Sequence, residues 1–221
     1  MADDDEPKPT AQWFKGKDDE ALGPFNEEGL PHGTGVMKYP PPPVVEDEEE
    51  KPGDMYEGAL VAGVREGKGK YTWSNGAVYE GAYSGGKKSG EGTMTLPDKV
   101  VYVGSWVADA MEGQGRFAYA NGDMYMGGFE AGKRSGAGTY HYKAIGCQLV
   151  GNWKDGLFVK GRWILKDGSI FAGEFNEGLC PTVGAHYFTR SQLLQSGKYA
   201  KSGVFVGADP VVATPAMLAA L

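Results

Sequence analysis

Two stretches of the 221-residue chain have the spacing of a phosphate-binding loop. Gly81 to Lys88 and Gly127 to Arg134 each contain a glycine, four residues, a second glycine and a lysine. A nucleotide-binding loop places serine or threonine next, to bind magnesium, whereas this chain has Lys88 and Arg134 there. Both stretches also lie between two predicted strands instead of between a strand and a helix. We therefore interpret them as turns, and we predict no bound nucleotide and no other cofactor.

The other residue types that often carry chemistry are scattered along the chain. His32, His141 and His186 fall within repeated segments, without a Cys–His pairing pattern or a Ser-His-Asp arrangement. Cys147 and Cys180 are too isolated to form a zinc site. No pair of carboxylates stands apart from the charged turns. The sequence therefore predicts neither a metal site nor an enzyme.

Composition and charge restrict the function further. The net charge of −7 is uneven, because residues 1–50 have 14 acidic and 4 basic side chains, whereas residues 51–221 have 15 and 18. A nucleic-acid-binding domain is usually clearly basic, so we predict no nucleic-acid partner. No apolar run approaches the ~18 residues of a membrane span, and the acidic N-terminus does not resemble a signal peptide. With two cysteines expected to be reduced, we predict a cytoplasmic protein.

The elements that position these residues come from an internal repeat. An aromatic residue and a glycine two positions later recur at an interval of 23 residues, and a later glycine recurs with them. The opening pairs are Tyr56/Gly58, Tyr79/Gly81, Tyr102/Gly104 and Tyr125/Gly127, followed with slips by Leu149/Gly151 and Phe171/Gly173. The later glycines are Gly69, Gly92, Gly115, Gly138, Gly161 and Gly184.

Each repeat predicts a β-hairpin with one aromatic face. Alternation along a strand places Tyr79, Gly81 and Tyr83 on one face, with Gly92 and Met94 on the matching face of the return strand. A glycine weakens a strand unless a ring covers it, so we expect rings from adjacent strands to lie over these glycines. The lysines between the two strands are interpreted as turn residues. The predicted fold is all-β, an elongated single-layer antiparallel meander of hairpins.

Connections between the hairpins carry strong turn signals. Asn75-Gly76, Asn121-Gly122 and Asp167-Gly168 each separate one repeat from the next. Such dipeptides suit type I′ turns, in which both central residues have positive φ. The sequence therefore predicts two-residue type I′ turns between consecutive repeats.

The repeat unit resembles that of MORN-repeat proteins. Tyr79-Glu80-Gly81-Ala82-Tyr83 and Gly90-Glu91-Gly92-Thr93-Met94 carry the likeness most clearly, and it extends over about residues 21–188. Within this family the chain resembles the small MORN subunits of the ciliary radial spoke head. That resemblance implies a non-catalytic scaffold of the cytoskeleton, in the axoneme of the cilium or flagellum. Its implied partners are other radial spoke head proteins, another MORN protein or a second copy of itself.

Three regions follow from these patterns. Residues 1–20 are predicted to form an acidic flexible arm, although Trp13-Phe14 could anchor it to the body or to a partner. Residues 21–188 are predicted to form a sheet of about seven repeats, with a proline-rich acidic insertion at 40–53 that is either a solvated loop or a docking tag. Residues 189–221, which include a possible short helix beginning at Pro215, are predicted to form a cap or a docking tail.

An aromatic sheet face without covering helices predicts a surface for other proteins. Such a face would expose more apolar area than a monomer usually tolerates, so partners or a second copy are expected to cover it. The candidate contact residues are Tyr79, Tyr83, Tyr102, Trp106, Phe117, Tyr119, Tyr125, Phe129, Tyr140, Tyr142, Trp153 and Trp163.

An alternative function is binding to acidic phospholipids at a membrane surface. Lys87-Lys88 and Lys133-Arg134 occupy equivalent turns two repeats apart, where they could line up along one edge. Electrostatic attachment needs several basic groups together, each contributing ~1 kcal/mol. Because the body of the chain has little net positive charge, the sequence favours the protein scaffold over the membrane module.

Overall fold

The structure is a computed structural model that describes residues 11–16, 22–42 and 52–221. The chain divides into two compact units, Met1–Asp109 and Ala110–Leu221. In each unit the strands pair antiparallel with their neighbours in the chain, which confirms the predicted all-β meander. Most of the predicted acidic arm and residues 43–51 of the insertion lie outside the described residues.

Strands of the first unit follow the predicted hairpins. Each described strand pairs with the next along the chain where the pairing is given. They are β1 (Gln12–Phe14), β2 (Gly33–Lys38), β3 (Met55–Val61), β4 (Val64–Thr72), β5 (Val78–Ser84), β6 (Lys87–Thr95) and β7 (Val101–Val107).

The second unit continues the pattern and extends it beyond the predicted repeats. Its strands are β8 (Ala110–Ala118), β9 (Met124–Glu130), β10 (Lys133–Tyr142), β11 (Cys147–Lys154), β12 (Leu157–Ile164), β13 (Ile170–Phe175), β14 (Pro181–Phe188), β15 (Leu193–Tyr199), β16 (Phe205–Gly207) and β17 (Val211–Val212). Although the 23-residue interval ends near Phe188, β15 pairs with β14, and β16 and β17 both pair with β15. The short helix α1 (Pro215–Ala219) begins after Thr214, whose hydroxyl accepts a hydrogen bond from Met217 N.

Type I′ turns lie inside the repeats and not between them. Inside the repeats, pairs such as Gly85-Gly86 have positive φ at both residues, 57° and 81°, which defines type I′ turns. Between repeats, Gly76 has positive φ and Asn75 does not, so the prediction of a type I′ turn there was wrong. Asn75 instead accepts a hydrogen bond from Ala77 N through its side chain (2.9 Å), which holds a three-residue loop ending in a bulge.

The two glycines of each Gly-x-Gly element have different roles. Gly90 adopts a φ of +61° where the pairing of β5 with β6 shifts register, so its conformation requires glycine. Gly92 lies under the ring of Tyr79, where a Cβ atom would be 2.6 Å from ring atoms Cε2 and Cζ. The predicted ring cover over glycine is therefore present, and the first glycine supplies a bulge.

The first repeat is built from a residue that the sequence pattern did not identify. Trp13 in β1 is buried and lies over Gly35 of β2, while its Nε1 donates to the Pro24 carbonyl (3.0 Å). Phe25 follows Gly23 as Tyr83 follows Gly81, but unlike the buried Tyr83 it is 45% exposed. The sequence indicated Trp13 as a possible anchor of the arm but not as a ring of the repeat, because it lies in a charged segment with no glycine two positions later.

Candidate protein-contact surface

Seven of the twelve predicted contact residues lie in the core. Each is at most 5% exposed, so these rings offer almost no free area to a partner. Their neighbours cover them, because rings of successive hairpins meet edge to face: the ring centroids of Tyr56 and Tyr83 are 5.4 Å apart, and those of Tyr79 and Trp106 are 5.3 Å apart. The seven buried residues are Tyr79, Tyr83, Tyr102, Trp106, Tyr125, Phe129 and Trp153.

The opening tyrosines also fix the backbone. The Tyr79 hydroxyl donates to the carbonyl of Ala82 (3.0 Å), beside the register shift of its hairpin. Tyr56, Tyr102 and Tyr125 make the same bond to the residue three positions later. Burial raises the pKa of Tyr79 to about 12, with smaller contributions from nearby carboxylates. The phenol therefore remains a donor across the physiological pH range.

Lys88 and Arg134 are not free turn cations. The Nζ of Lys88 lies 4.5 Å from the ring centroid of Trp106, and the guanidinium of Arg134 lies 4.4 Å from that of Trp153. Burial lowers the pKa of Lys88. Because the type I′ turn has only two residues, Lys88 pairs directly with Tyr83 and reaches the aromatic face. The prediction that these side chains are ordinary turn residues was wrong.

The other five predicted contact residues are half-buried and belong to the second unit. Ring centroids of Phe117 and Tyr119 are 4.6 Å apart, those of Tyr119 and Tyr140 are 5.5 Å apart, and those of Tyr140 and Tyr142 are 4.6 Å apart. We call these four residues together with Trp163 the aromatic band. The band is the part of the predicted contact set that retains exposed surface.

A hollow of about 130 Å³ adjoins the aromatic band. It is lined by Tyr142, Ile145, Leu149, Trp163 and Leu179. Ile145 and Leu179 are 55% and 40% exposed, which is high for apolar side chains beside a cavity. Sequence reasoning missed both, since they lie in loops and neither matches a repeat position.

Trp163 differs from the two buried tryptophans of the repeats. The Nε1 atoms of Trp106 and Trp153 donate to backbone carbonyls of Gly92 and Gly138 (3.3 and 3.2 Å). In contrast, Nε1 of Trp163 is buried and has no hydrogen-bond partner. A buried donor without an acceptor costs roughly 1–3 kcal/mol.

The buried carboxylate of Asp123 fixes Tyr140 of the aromatic band. Asp123 accepts hydrogen bonds from the Tyr140 hydroxyl (3.0 Å), Lys143 N (2.9 Å) and Asn121 Nδ2 (2.9 Å). Burial acts to raise the pKa of Asp123, but these hydrogen bonds outweigh it and the pKa is lowered. Asp54 binds Tyr71 and Ser74 in the same way in the first unit. The ionised Asp123 therefore holds Tyr140 and the loop after it.

The remaining candidates for chemistry are not brought together. His186 Nε2 lies 2.8 Å from the Tyr199 hydroxyl, among the rings of Phe171 and Phe205, and burial lowers its pKa. Across the described ranges, no three His, Cys, Asp or Glu side chains are grouped so that they could hold a metal ion. Both phosphate-loop-like stretches form hairpins, as the sequence predicted. In this same part of the chain, no helix is long and apolar enough to cross a bilayer.

Comparison with solved structures finds distant likenesses. The TCP domain of Drosophila melanogaster SAS-4 (dCPAP), solved with a proline-rich motif of Ana2 (dSTIL), is 11% identical with a TM-score of 0.41, covering 76% of this chain and 97% of that one. The TCP10 domain of Danio rerio CPAP, solved with a STIL peptide, is 12% identical with a TM-score of 0.25, covering 85% and 82%. Scores this low support no inference about function.

The repeats themselves identify the family. No curated protein sequence matches the chain. The family model described as MORN repeat matches residues 27–41, 56–78, 79–101, 102–124, 125–143 and 150–170, which together make up more than half of the chain. These segments coincide with the hairpins whose rings cover paired glycines. The chain therefore belongs to the MORN-repeat family.

Proposed function

We propose that the protein is a non-catalytic scaffold of the ciliary or flagellar axoneme, acting in motility as a subunit of the radial spoke head. The resemblance of its repeat array to small spoke-head MORN proteins such as radial spoke protein 10 supports this assignment. Its partners would be other spoke-head proteins, another MORN protein or a second copy of the chain. It would hold them through contacts along the MORN sheet.

One observation supports a scaffold role above all: the tyrosines and turn cations that stand out in the sequence hold the fold together. The opening tyrosines cover glycines, and Lys88 and Arg134 lie against rings. What remains available is a half-buried aromatic surface in the second unit, together with the polar sheet face. Half-buried aromatic residues are typical anchors of protein interfaces. This arrangement suits contact with other proteins better than conversion of a small molecule.

Axoneme fractionation tests the proposal. A tagged chain expressed in ciliated cells should remain with demembranated axonemes and co-extract with spoke-head proteins in constant ratio. A variant with Tyr119→Ser and Tyr142→Ser should fold but be recovered in the soluble fraction. A matched control with Val103→Ser and Met126→Ser changes two exposed apolar residues outside the band and should stay with the axoneme. Recovery of the unchanged chain only with membranes or in the soluble fraction would contradict the proposal.

The membrane alternative has less support. It depended on paired cations at equivalent turns, but Lys88 and Arg134 are engaged with rings. Of the outer pair, Lys133 lies 3.8 Å from Asp155 in an exposed ion pair. The paired turns therefore present fewer free positive charges than the sequence suggested.

A further inference from the structure

We propose that the aromatic band and the loops beside it form a docking site for an acidic peptide segment with an apolar side chain. This inference rests on the proposed scaffold role and specifies the chemistry of the partner. It combines a row of exposed cations with the hollow beside Trp163.

Two of the cations come from one repeated loop position, and the third directly follows it in the next loop. The occupants of that position, 23 residues apart, are Ser74, Pro97, Ala120, Lys143, Lys166 and Thr189, and Arg190 follows Thr189. All three basic residues are exposed and belong to the second unit. We call them the cationic loop row. The change from neutral to basic residues begins where the aromatic band meets the hollow.

Packing between the loops brings this row together. A Cβ atom placed on Gly122 would be 2.6 Å from Lys143 Cδ, and one on Gly146 would be 3.4 Å from Lys166 Cγ. Both lysine stems therefore cross the glycine of the preceding loop, whereas at Gly168 the corresponding contact is made by Thr189, next to Arg190. Two carboxylates lie beside the three cations: Asp123 accepts a hydrogen bond from Lys143 N (2.9 Å), and Asp167 interacts electrostatically with Arg190. The row therefore keeps an excess of positive charge.

The hollow lies next to these cations in the chain. Lys143 directly follows Tyr142 and precedes Ile145 by two positions, and Lys166 follows Trp163 by three. A volume of about 130 Å³ is close to that of an engineered cavity, about 150 Å³, which binds benzene. One branched aliphatic or aromatic side chain fits that size. Exposed Ile145 and Leu179 would be covered by such a side chain.

Two buried polar atoms near the site have no hydrogen-bond partner. Among the described residues, the buried side-chain nitrogen and oxygen atoms without a hydrogen-bond partner are Trp163 Nε1 and Thr189 Oγ1. Trp163 lines the hollow, and Thr189 immediately precedes Arg190 of the cationic loop row. Both atoms are shielded from solvent, so they are not contacts for the peptide, and the site depends on the cations and the hollow.

Charge also distinguishes the two units as partners for such a segment. Ala110–Leu221 contains 11 Lys and Arg against 8 Asp and Glu, a formal net charge of +3. Met1–Asp109 contains 11 against 21, a net charge of −10. An acidic segment is therefore attracted to the second unit and repelled by the first.

The test uses the full chain and a fluorescein-labelled peptide of glutamate and aspartate with one central leucine. Fluorescence anisotropy should detect binding that weakens with salt, and replacing the leucine by glycine should weaken it about tenfold. Combined Lys143→Glu, Lys166→Glu and Arg190→Glu changes should weaken it by more than about tenfold. The matched variant with Lys68→Glu, Lys87→Glu and Lys99→Glu makes the same change of charge in the first unit, and it should bind within about twofold of the unchanged chain.

A second variant separates the hollow from the charges. Ile145→Asp alters an exposed residue, so thermal unfolding should be unchanged, but the preference for the leucine peptide over the glycine peptide should disappear. Equal binding of the leucine and glycine peptides by the unchanged chain would show that the hollow binds no side chain. An equal loss of affinity in both charge variants would refute the docking site. Binding of phosphatidylserine vesicles without peptide binding would assign the row to lipid instead. If the peptide binds as expected while the chain fails to enter axonemes, the spoke-head proposal fails and the docking site stands.

Discussion

Two modules show how differently one structural requirement can be met. In the module of Tyr79, the ring covers Gly92 and its hydroxyl bonds the carbonyl of Ala82. In the module of Phe171, the ring covers Gly184 but has no hydroxyl. There the corresponding carbonyl, that of Glu174, accepts a hydrogen bond from the Thr182 hydroxyl (3.0 Å). Thr182 occupies the position of the first glycine in the Gly-x-Gly element.

The comparison separates two tasks that the tyrosine modules combine. Covering the paired glycines requires a flat ring, which tyrosine and phenylalanine both provide. Satisfying the carbonyl beside the bulge requires a donor, which either the ring residue or the return strand can supply. Loss of the repeat signature toward the C-terminus therefore does not mean loss of the underlying hydrogen bond.

The largest effect should come from adding a side chain under the rings. Gly92→Val should cost about 3 kcal/mol or more, because the atoms nearest to a new Cβ belong to the Tyr79 ring. The cost should be smaller in a Tyr79→Ala background. Gly184→Val should not be relieved by Phe171→Ala, since there the nearest atom is the backbone carbonyl oxygen of Ala172. Urea unfolding of the two glycine variants, the two ring variants and the two combinations measures this difference.

A control for backbone conformation accompanies these variants. Gly76 has a φ of +87° and no atom near the position of a Cβ, so Gly76→Ala should cost only about 1 kcal/mol. Equal relief of Gly92→Val and Gly184→Val by ring removal would show that the two modules are packed alike.

Removal of the hydroxyl groups should have a smaller effect. Tyr79→Phe should cost about 0.5–1.5 kcal/mol by leaving the Ala82 carbonyl without its donor. Thr182→Val should cost less, because the Glu174 carbonyl lies at an exposed site where water can replace the donor. Phe171→Tyr should be more favourable in the Thr182→Val background than in the unchanged chain. A double-mutant cycle by urea unfolding measures that coupling, and zero coupling would refute the exchange of donors.

The next smaller effect should come from mild acid, which should destabilise the module of Phe171 but not that of Tyr79. His186 occupies the position held by Met94 and Phe117 in earlier repeats, and burial lowers its pKa below 6.5. Because the pKa of His186 is lower in the folded state than in the unfolded state, protonation favours unfolding. The stability contributed by the buried neutral ring is therefore fully present above about pH 6.5 and is lost as the pH falls through the folded-state pKa. Hydrogen exchange corrected for intrinsic rates should therefore increase in β13–β15 but not in β5–β6 between about pH 7.5 and about pH 5.5.

The same experiment on His186→Phe provides the control. That variant should show no selective change in β13–β15, because its ring cannot bind a proton. An unchanged acid response in His186→Phe would assign the effect to another group.

The smallest effect should come from the cations against the rings. Lys88→Met should change stability by less than about 0.5 kcal/mol, because Met111 occupies the equivalent position and burial disfavours the lysine charge. Arg134→Met should cost about 1 kcal/mol, since Arg134 also donates through Nη2 to the Gly156 carbonyl (2.7 Å). Thermal unfolding of both variants shows which loses more stability. A larger loss for Lys88→Met than for Arg134→Met would contradict this prediction.

Most of the fold followed from local rules. Alternation of side chains in a strand placed Tyr79 and Gly81 on one face, and the 23-residue interval repeated that arrangement. The turn types were harder to predict, because Asn75 and Gly85 both suit positive φ. Asn75 avoids positive φ only because its side chain accepts a hydrogen bond from Ala77 N, which the sequence does not show. Among the candidate contact residues, sequence reasoning could not separate buried from half-buried rings.

By itself, the sequence determined the hairpin repeat, the pairing of glycine with an aromatic ring and the family. These depend on spacing within one strand or one hairpin, where the chemistry of neighbouring residues is sufficient. Only the tertiary structure decided that the rings cover one another, that Lys88 lies against Trp106 and that Trp13 completes the first repeat. It also decided that Lys166 lies against Gly146, in the loop that carries Lys143, because strand pairing brings into contact loops that are 23 residues apart in the chain.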